Sequence, residues 1–400
     1  MKLHLGLGLR NKWDAYRARN TPGVMPDEAI EAGEIARLFR EGKPPLAPRT
    51  DPDKAQLDVA FVVAHFNPGS GGHMTLANIV RGLEKRGHRV SLWVDDIGRR
   101  FTDSPEAVLA QLREQFGPFE ARTHFGFDGW QGADVVVASA WQTAARACSL
   151  PNVAARAYLV QDHEPEFFGT SVQRHYADDS YRHGLYPITA SQWLADVMKR
   201  EYGLEATWFH LGIDSELYRP VPGVERNENA VVFYGRGATT RRAVPVALVA
   251  ISELKKRRPQ TELWGFGHPG AIKLDVPVRS VGVLPAADLP ALYSSAGVGL
   301  VLSMTNYSLV AQEMLACGLP CVELESPSIV RAFGRNGPVD MAPLEPFAIA
   351  AALERLLDDP QLREQRREAA RTLVAERTWD AAAERFEAGL RAALKARAGA

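Results

Sequence analysis

The chain has 400 residues, a formal net charge of −1 and 24% charged side chains. At ~100–200 residues per domain this is too long for one ordinary core and predicts two domains or three. The balanced charge removes the bulk electrostatic case for nucleic acid, and no run approaches the ~18 apolar residues of a spanning helix, which leaves at most peripheral membrane contact.

Residues up to about Asp53 read as a separate arm. "EAIEAGEIARLFREG", Glu28 to Gly42, has helical apolar spacing at Ile30, Ile35, Leu38 and Phe39, and "KPPLAPRTDPD" follows as an extended linker. At Asp58 the texture changes. "DVAFVVAHF" is a continuous apolar run, as expected of a strand buried on both faces of a parallel sheet. A Gly-rich turn, a helix, a Gly stop and the strand "VSLWVDD" complete a βαβ unit. Further strands are "ADVVVASA", "ARAYLVQD" and "YPITAS", with the helix "QWLADVMKREYG" next and "ATWFHLGID" closing this half. After the connector "SELYRPVPGVERNEN" the pattern restarts. "AVVFYGRG", "TELWGFG", "VRSVGVL", "GVGLVLS" and "PCVELES" read as strands, "RAVPVALVAISELKKRRP" and "PAADLPALYSSA" as helices, and long helices end the chain. The expectation is α/β: two doubly wound, Rossmann-like domains facing a cleft, with an N-terminal arm. The expected units are an arm and linker over 1–54, domains over 55–218 and 219–374, and a last helix, 375–400, crossing back to the first domain.

Ligands of such sheets bind at the carboxyl ends of strands, where loops meet helix N-termini. That rule selects four places. In "HFNPGSGGHMT" the glycines Gly69, Gly71 and Gly72 let the backbone approach a ligand, although Met74 breaks the dinucleotide fingerprint. In "YLVQDHEPEFF" a buried strand ends in Gln161, Asp162, His163, Glu164 and Glu166, a cluster suited to acid/base work or to binding hydroxyls. "YGRGATTRRA" puts Arg236, Arg241 and Arg242 after the first strand of the second half, where cations oppose a helix dipole unless an anion is present. In "SMTNYSLVAQEMLACGLPCV" Ser308 is a plausible N-cap, so amides of Ser308, Leu309 and Val310 face the cleft, and Glu313 leans back toward them.

Other patterns carry less. "GFGHPG" matches G-x-G-x-x-G, but Pro269 and the strand-like text after it argue for a loop. Asp95 and Asp96 end a strand without a third ligand nearby, so no metal is expected. "KKRRP" reads as a charged helix C-terminus. Cys148, Cys317 and Cys321 lack metal-ligand spacing and read as packed, reduced thiols. The start of the chain lacks the apolar core and cleavage site of a secretory signal, so a cytoplasmic protein is expected, at the inner face of the membrane if anywhere on one.

The same residues carry a family likeness over roughly Asp58 to the C-terminus. "HLGIDSELYRP", "LVAQEMLACGLPCV", "YGRGATTRR" and "GSGGHMTLANIVRGLEKRGHRVSLW" resemble the linker, the nucleotide-binding segment, the phosphate clamp and the first βαβ unit of family 4 retaining glycosyltransferases of the B fold. The Gln161–Glu166 text and the Met304–Ser308 loop most resemble the dTDP-L-rhamnose-dependent rhamnosyltransferase branch. The resemblance implies an acceptor-side first domain and a nucleotide-sugar-binding second domain. It implies that Arg236 and one of Arg241 or Arg242 neutralise the donor diphosphate, that Ser308 and Leu309 amides bind its phosphates, and that Glu313 holds the ribose. Tyr307 joins the donor set. Gly71 and Gly72 approach the phosphate from the first domain, and His73, Asp162, His163 and Glu164 make up the acceptor side, with Asp162, His163, Arg236 and Arg241 as the catalytic expectation. Two departures stand out: Thr305 replaces the usual glutamate eight positions before Glu313, and the clamp lysine is an arginine. The implied reaction moves a hexose, with L-rhamnose as the narrower expectation, from a nucleotide-diphosphate sugar to a hydroxyl of a glycan or lipid-linked glycan in polysaccharide, O-antigen or glycolipid synthesis. The donor is a substrate, and no further cofactor is expected. The alternatives are a same-fold sugar-nucleotide epimerase and a non-catalytic nucleotide- or glycan-binding module.

Overall fold

The computed structural model describes residues 27–66, 69–236 and 240–397. Residues 1–26 of the expected arm, Asn67 and Pro68 of the glycine turn, and 237–239 of the arginine loop lie outside the described residues. The arm contributes helix α1 (Asp27–Glu41), one residue displaced at each end from the expected helix. The first half follows with β1 (Asp58–Val63), α2 (Gly71–Lys85), β2 (Arg89–Val94), α3 (Pro105–Phe116), β3 (Arg122–Phe125), β4 (Ala133–Ala138), α4 (Trp141–Ser149), β5 (Val153–Val160), α5 (Val172–Ser180), β6 (Tyr186–Thr189), α6 (Gln192–Tyr202) and β7 (Thr207–Trp208). The second half holds β8 (Asn227–Tyr234), α7 (Val244–Arg257), β9 (Glu262–Phe266), β10 (Arg279–Gly282), α8 (Leu289–Ser295), β11 (Ala296–Leu300), α9 (Leu309–Ala316), β12 (Cys321–Leu324), α10 (Pro327–Phe333), β13 (Val339–Ala342), α11 (Pro346–Asp358), α12 (Pro360–Glu376) and α13 (Trp379–Ala396).

The strands form two parallel sheets. The first has the order β3-β2-β1-β4-β5-β6-β7 and the second β10-β9-β8-β11-β12-β13. In each, the chain starts near the middle and winds outward both ways, so the strand order reverses beside β1 and beside β8. The apolar runs sit where two-sided burial demands them: every residue of β5 and of β11 is buried. Helix starts are marked by hydroxyls. Ser70, Ser104, Ser171, Ser191, Ser308, Ser326 and Thr378 each accept an amide of the following turn.

The arm packs on the first half. Ile35 and Leu38 of α1 are buried beside Ile97, Trp141, Ala145 and Ala177. Arg156, inside β5 and wholly buried, reaches the carbonyls of Ala147 and Leu150 at the end of α4 and of Pro44 in the arm linker. A guanidinium at a helix carboxyl end is electrostatically favoured there.

Two crossings join the halves, and they touch. Ile213 pairs with Thr378 in a parallel bridge, and the amide of Ile213 donates to the Arg377 carbonyl at 2.8 Å. A Cβ on Gly212 would fall 2.6 Å from the Trp379 ring, so the crossing needs glycine. Beyond it, α13 lies on the first half. Phe386 stacks on Phe61 at 5.8 Å, Arg86 pairs with Glu387, and a Cβ on Gly82 would meet Ala383 at 2.2 Å. The last helix thus clamps α2, the helix that follows the glycine turn.

Candidate active site

The facing carboxyl edges of the two sheets bring most of the expected residues together. Gly71 opens α2, and a Cβ there would lie 4.0 Å from Leu309 Cδ1, the first residue of α9. Gly72 faces the Gln161 side chain, 3.5 Å away. The first-half turn and the second-half helix N-terminus are therefore in contact range. Ser308 Oγ accepts the Val310 amide at 3.2 Å, while the amides of Ser308 and Leu309 find no acceptor among the described residues. Such amides, with the positive end of the helix dipole, are suited to an anion.

Glu313 sits one turn further along α9, partly buried. Desolvation pushes its pKa up to about 7, and a hydrogen bond with Tyr218 counters this. Tyr218 comes from the linker, a partner that sequence reasoning missed because its segment was read only for a likeness. A carboxylate with two oxygens and one tyrosine partner keeps acceptor capacity for ligand hydroxyls.

The arginines separate into two kinds. Arg236 follows β8, partly buried, and has no ion pair or hydrogen bond among the described residues. Arg241 is committed. Its Nε lies 3.2 Å from Asp162 Oδ2, and its guanidinium covers the Phe167 ring at 4.1 Å. Arg242 donates to Ser303 Oγ at 2.5 Å. Ser303 in turn donates from its amide and hydroxyl to Glu323, at 2.6 and 2.9 Å. Burial pushes the Glu323 carboxyl up to about 7. In this structure the charge of Arg241 is paired with Asp162.

The acidic strand end is held by hydrogen bonds from both halves. Asp162 Oδ1 accepts the amides of His163 and Asn306, both at 2.9 Å, and Oδ2 accepts the Thr305 hydroxyl at 3.0 Å. Asn306 Nδ2 adds bonds to the carbonyls of Gln161 at 3.0 Å and Ala190 at 3.3 Å. Asp162 therefore ties the second half to the first across the cleft floor. Glu164 is buried, with Oε2 on the Trp141 amide at 2.7 Å and Oε1 on the Tyr158 hydroxyl at 3.1 Å. It replaces the side-chain cap that Ala140 cannot give α4. Each of its oxygens accepts a hydrogen bond within the domain.

The polar partners of His163 are likewise internal: Tyr202 at 3.0 Å, with Glu166 and Glu201 each at 3.8 Å. Burial lowers its pKa, countered by Glu201 and Glu166. His73 turns to Ser70 Oγ at 2.9 Å and packs near Phe66 and Phe116, and burial pushes its pKa down to about 4. The polar contacts of both imidazoles come from the first half. The Tyr307 hydroxyl accepts the Leu211 amide at 2.8 Å, and Arg377 lies over its ring at 5.4 Å, so in this structure it pins the linker.

The remaining patterns resolve simply. "GFGHPG" ends β9 and turns, with no helix after it. Asp95 pairs with Arg146 at 3.1 Å, and the three cysteines are free and buried. Lys255 caps the end of α7 through the carbonyls of Pro259 and Thr261 at 2.7 and 2.6 Å. Among the described residues, no helix is long and apolar enough to cross a membrane.

Residues 228–359 match the family described as Glycosyl transferases group 1. The O-antigen biosynthesis protein RfbC of Myxococcus xanthus is 29% identical over 262 residues, which is 64% of this chain and 20% of that protein. The chain thus spans about a fifth of that relative's length. Sucrose-phosphate synthase from Thermosynechococcus elongatus superposes with a TM-score of 0.60 at 16% identity, covering 82% of this chain and 96% of its own. HepE from Anabaena, solved in complex with UDP-glucose, gives a TM-score of 0.61 at 16% identity, covering 85% and 100%. The solved structures show a shared fold, the two Rossmann-like domains of GT-B glycosyltransferases.

Proposed function

We propose that the protein is a retaining glycosyltransferase, independent of metal, that moves a hexose from a nucleotide-diphosphate sugar to a hydroxyl of a glycan or lipid-linked glycan. Polysaccharide, O-antigen or glycolipid synthesis is the fitting context. The observation that carries this reading is the apposition of Gly71 with the N-terminus of α9, where the Ser308 and Leu309 amides have no acceptor among the described residues.

In the proposed reaction the bond from the anomeric carbon to the donor diphosphate breaks, and a bond from that carbon to the acceptor oxygen forms on the same face. The acceptor proton passes to the departing diphosphate oxygen, so no enzyme nucleophile is needed. Arg236 and the α9 amides offset the charge that develops on the leaving group, the preorganised-electrostatics mode. Glu313 accepts from the free hydroxyl of the nucleotide's sugar ring, the 3′-hydroxyl alone where the nucleotide is dTDP. Asp162 acts as a positioning residue by holding Thr305 and Asn306, and closure over the cleft keeps water out. L-rhamnose from dTDP-L-rhamnose is the proposed donor sugar, in keeping with a cleft floor where Thr305 stands and its hydroxyl is turned to Asp162.

A thermal-shift panel of dTDP, UDP and GDP tests the nucleotide, because a ligand of the native state raises its stability by mass action. Release of nucleoside diphosphate that depends on acceptor, undiminished by EDTA, is expected. Interconversion of the donor without acceptor would overturn transfer in favour of an epimerase, and binding without turnover would favour a binding module. An inverted anomer in the product would overturn retention.

A further inference from the structure

Both crossings between the halves are held by one side chain of α9. Gln312, next to Glu313, is wholly buried. Its Nε2 donates to the Leu211 carbonyl of the first crossing at 3.3 Å, and its Oε1 accepts from Arg377 Nη1 of the second at 2.8 Å. Tyr307, just before the α9 cap, takes the Leu211 amide, so the second half grips Leu211 by both its amide and its carbonyl. Leu211 follows Phe209, whose amide donates to the Thr189 carbonyl at the end of β6, so the grip reaches the first sheet.

The chemistry of the position calls for an amide. Arg377 is buried with no ion pair among the described residues. Its guanidinium lies 5.4 and 5.1 Å from the Tyr307 and Phe333 rings and donates to the Ala332 carbonyl in α10. A buried guanidinium needs acceptors and a buried carbonyl needs a donor, and a glutamine supplies one of each. A carboxylate here would set an oxygen against the Leu211 carbonyl, and an apolar side chain would leave both groups unmet. Gln312 and Glu313 are successive residues, ~100° apart around the helix. The helix therefore turns one side chain to the crossings and the next toward the ligand side, while its N-terminus meets Gly71 of the first half.

We propose that Gln312 is a positioning residue: it ties the donor-binding helix to both crossings, so that the α9 N-terminus and the first half keep one relative setting during transfer. The proposal rests on the glycosyltransferase reading and touches neither donor nor acceptor directly.

The test compares the unaltered full chain with Gln312→Leu, which removes both bonds, and Gln312→Glu, which keeps the acceptor for Arg377 and serves should the first variant fail to fold. Spin labels on Glu114→Cys in the first half and Gln260→Cys in the second, both exposed, report the distance between the halves by pulsed electron resonance with dTDP or UDP bound. The three native cysteines are buried. The unaltered chain should give one narrow distance, and each folded variant a broader one, while the nucleotide thermal shift persists. With UDP-glucose or dTDP-L-rhamnose as donor, kcat should fall about 10²-fold, the scale of a misplacement by about 1 Å, with the donor KM held within about twofold. A purely structural residue would lower the melting temperature and leave the distance of the folded molecules unchanged. An unbroadened distance in a folded variant, or an unchanged kcat, overturns the proposal. Absence of any thermal shift with dTDP, UDP or GDP in the unaltered chain would instead overturn the glycosyltransferase reading, and the distance measurement would still decide what Gln312 holds.

Discussion

Glu164 at the end of the first sheet, buried, and Glu313 in α9, partly buried, share one electrostatic mark. Desolvation pushes the first carboxyl up to about 8 and the second up to about 7. They differ in how their oxygens are used. Glu164 has both filled, by the Trp141 amide and the Tyr158 hydroxyl, whereas Glu313 has Tyr218 alone. Arg241 and Arg236 repeat the contrast, one on Asp162 and Phe167, the other without an ion pair among the described residues. A perturbed titration marks burial. Unfilled donor or acceptor capacity is the better mark of a ligand site.

The sharpest way to break this contrast is at the arginines. Arg236→Ala should abolish the nucleotide thermal shift and cut turnover by about 10²–10³-fold, the scale of removing one preorganised donor from a developing anion. Its melting temperature without ligand should hardly move. Arg241→Ala should do the reverse, lowering the melting temperature while the nucleotide shift persists. Full activity in Arg236→Ala would end its assignment to the diphosphate.

The glutamates give the next effect. Glu313→Gln should weaken nucleoside diphosphate binding by about tenfold or more, since a hydrogen bond to a charged group is worth ~1.5–3 kcal/mol. The loss should vanish with a 2′,3′-dideoxynucleoside diphosphate. A loss of equal size with that analogue would show that Glu313 does not meet the ribose.

Glu164 predicts a pH effect on stability rather than on binding. Its folded pKa, about 8, lies above the ordinary 4.5. The protonated form is therefore favoured by folding. That stabilisation is fully present below the ordinary value and is lost as pH rises through the folded one. Melting temperature should fall by several degrees between pH 5 and pH 8.5 (about the span of that shift), and Glu164→Gln should flatten the fall. An unchanged slope in the variant would sink this reading. Glu313 contributes with the same sign over a window that closes at about 7.

The fold was largely legible because parallel strands are buried on both faces. "DVAFVV", "ADVVVA" and "GVGLV" announce themselves as apolar runs, and serine caps mark helix starts. The edge strands β3 ("RTHF") and β13 ("VDMA") were not read, being four residues long and weakly patterned. In the site, the second-half helix and Arg236 stood out because local rules about helix ends and cations suffice there. For Asp162, Glu164 and His163 the sequence shows a position after a buried strand but not the partners, which come from Thr305, Trp141 and Tyr202, up to 143 residues away. Side-chain direction at a strand end is a tertiary outcome that residue type does not carry.

Thr305→Val offers the smallest and most selective test. The change keeps the shape of the side chain and removes the hydroxyl that Asp162 Oδ2 accepts at 3.0 Å. Asp162 would retain the amides of His163 and Asn306 and the Arg241 charge, so its carboxylate stays compensated. The cost should be that of one ordinary hydrogen bond, about 1 kcal/mol, read as a drop of roughly 2–4 °C in melting temperature. Since Thr305 already serves Asp162, donor preference among nucleotide sugars should not change. A shift in donor preference at constant melting temperature would mean that the hydroxyl leaves Asp162 for the donor. The cleft floor would then belong with Glu313 on the ligand side of the contrast, not with Glu164.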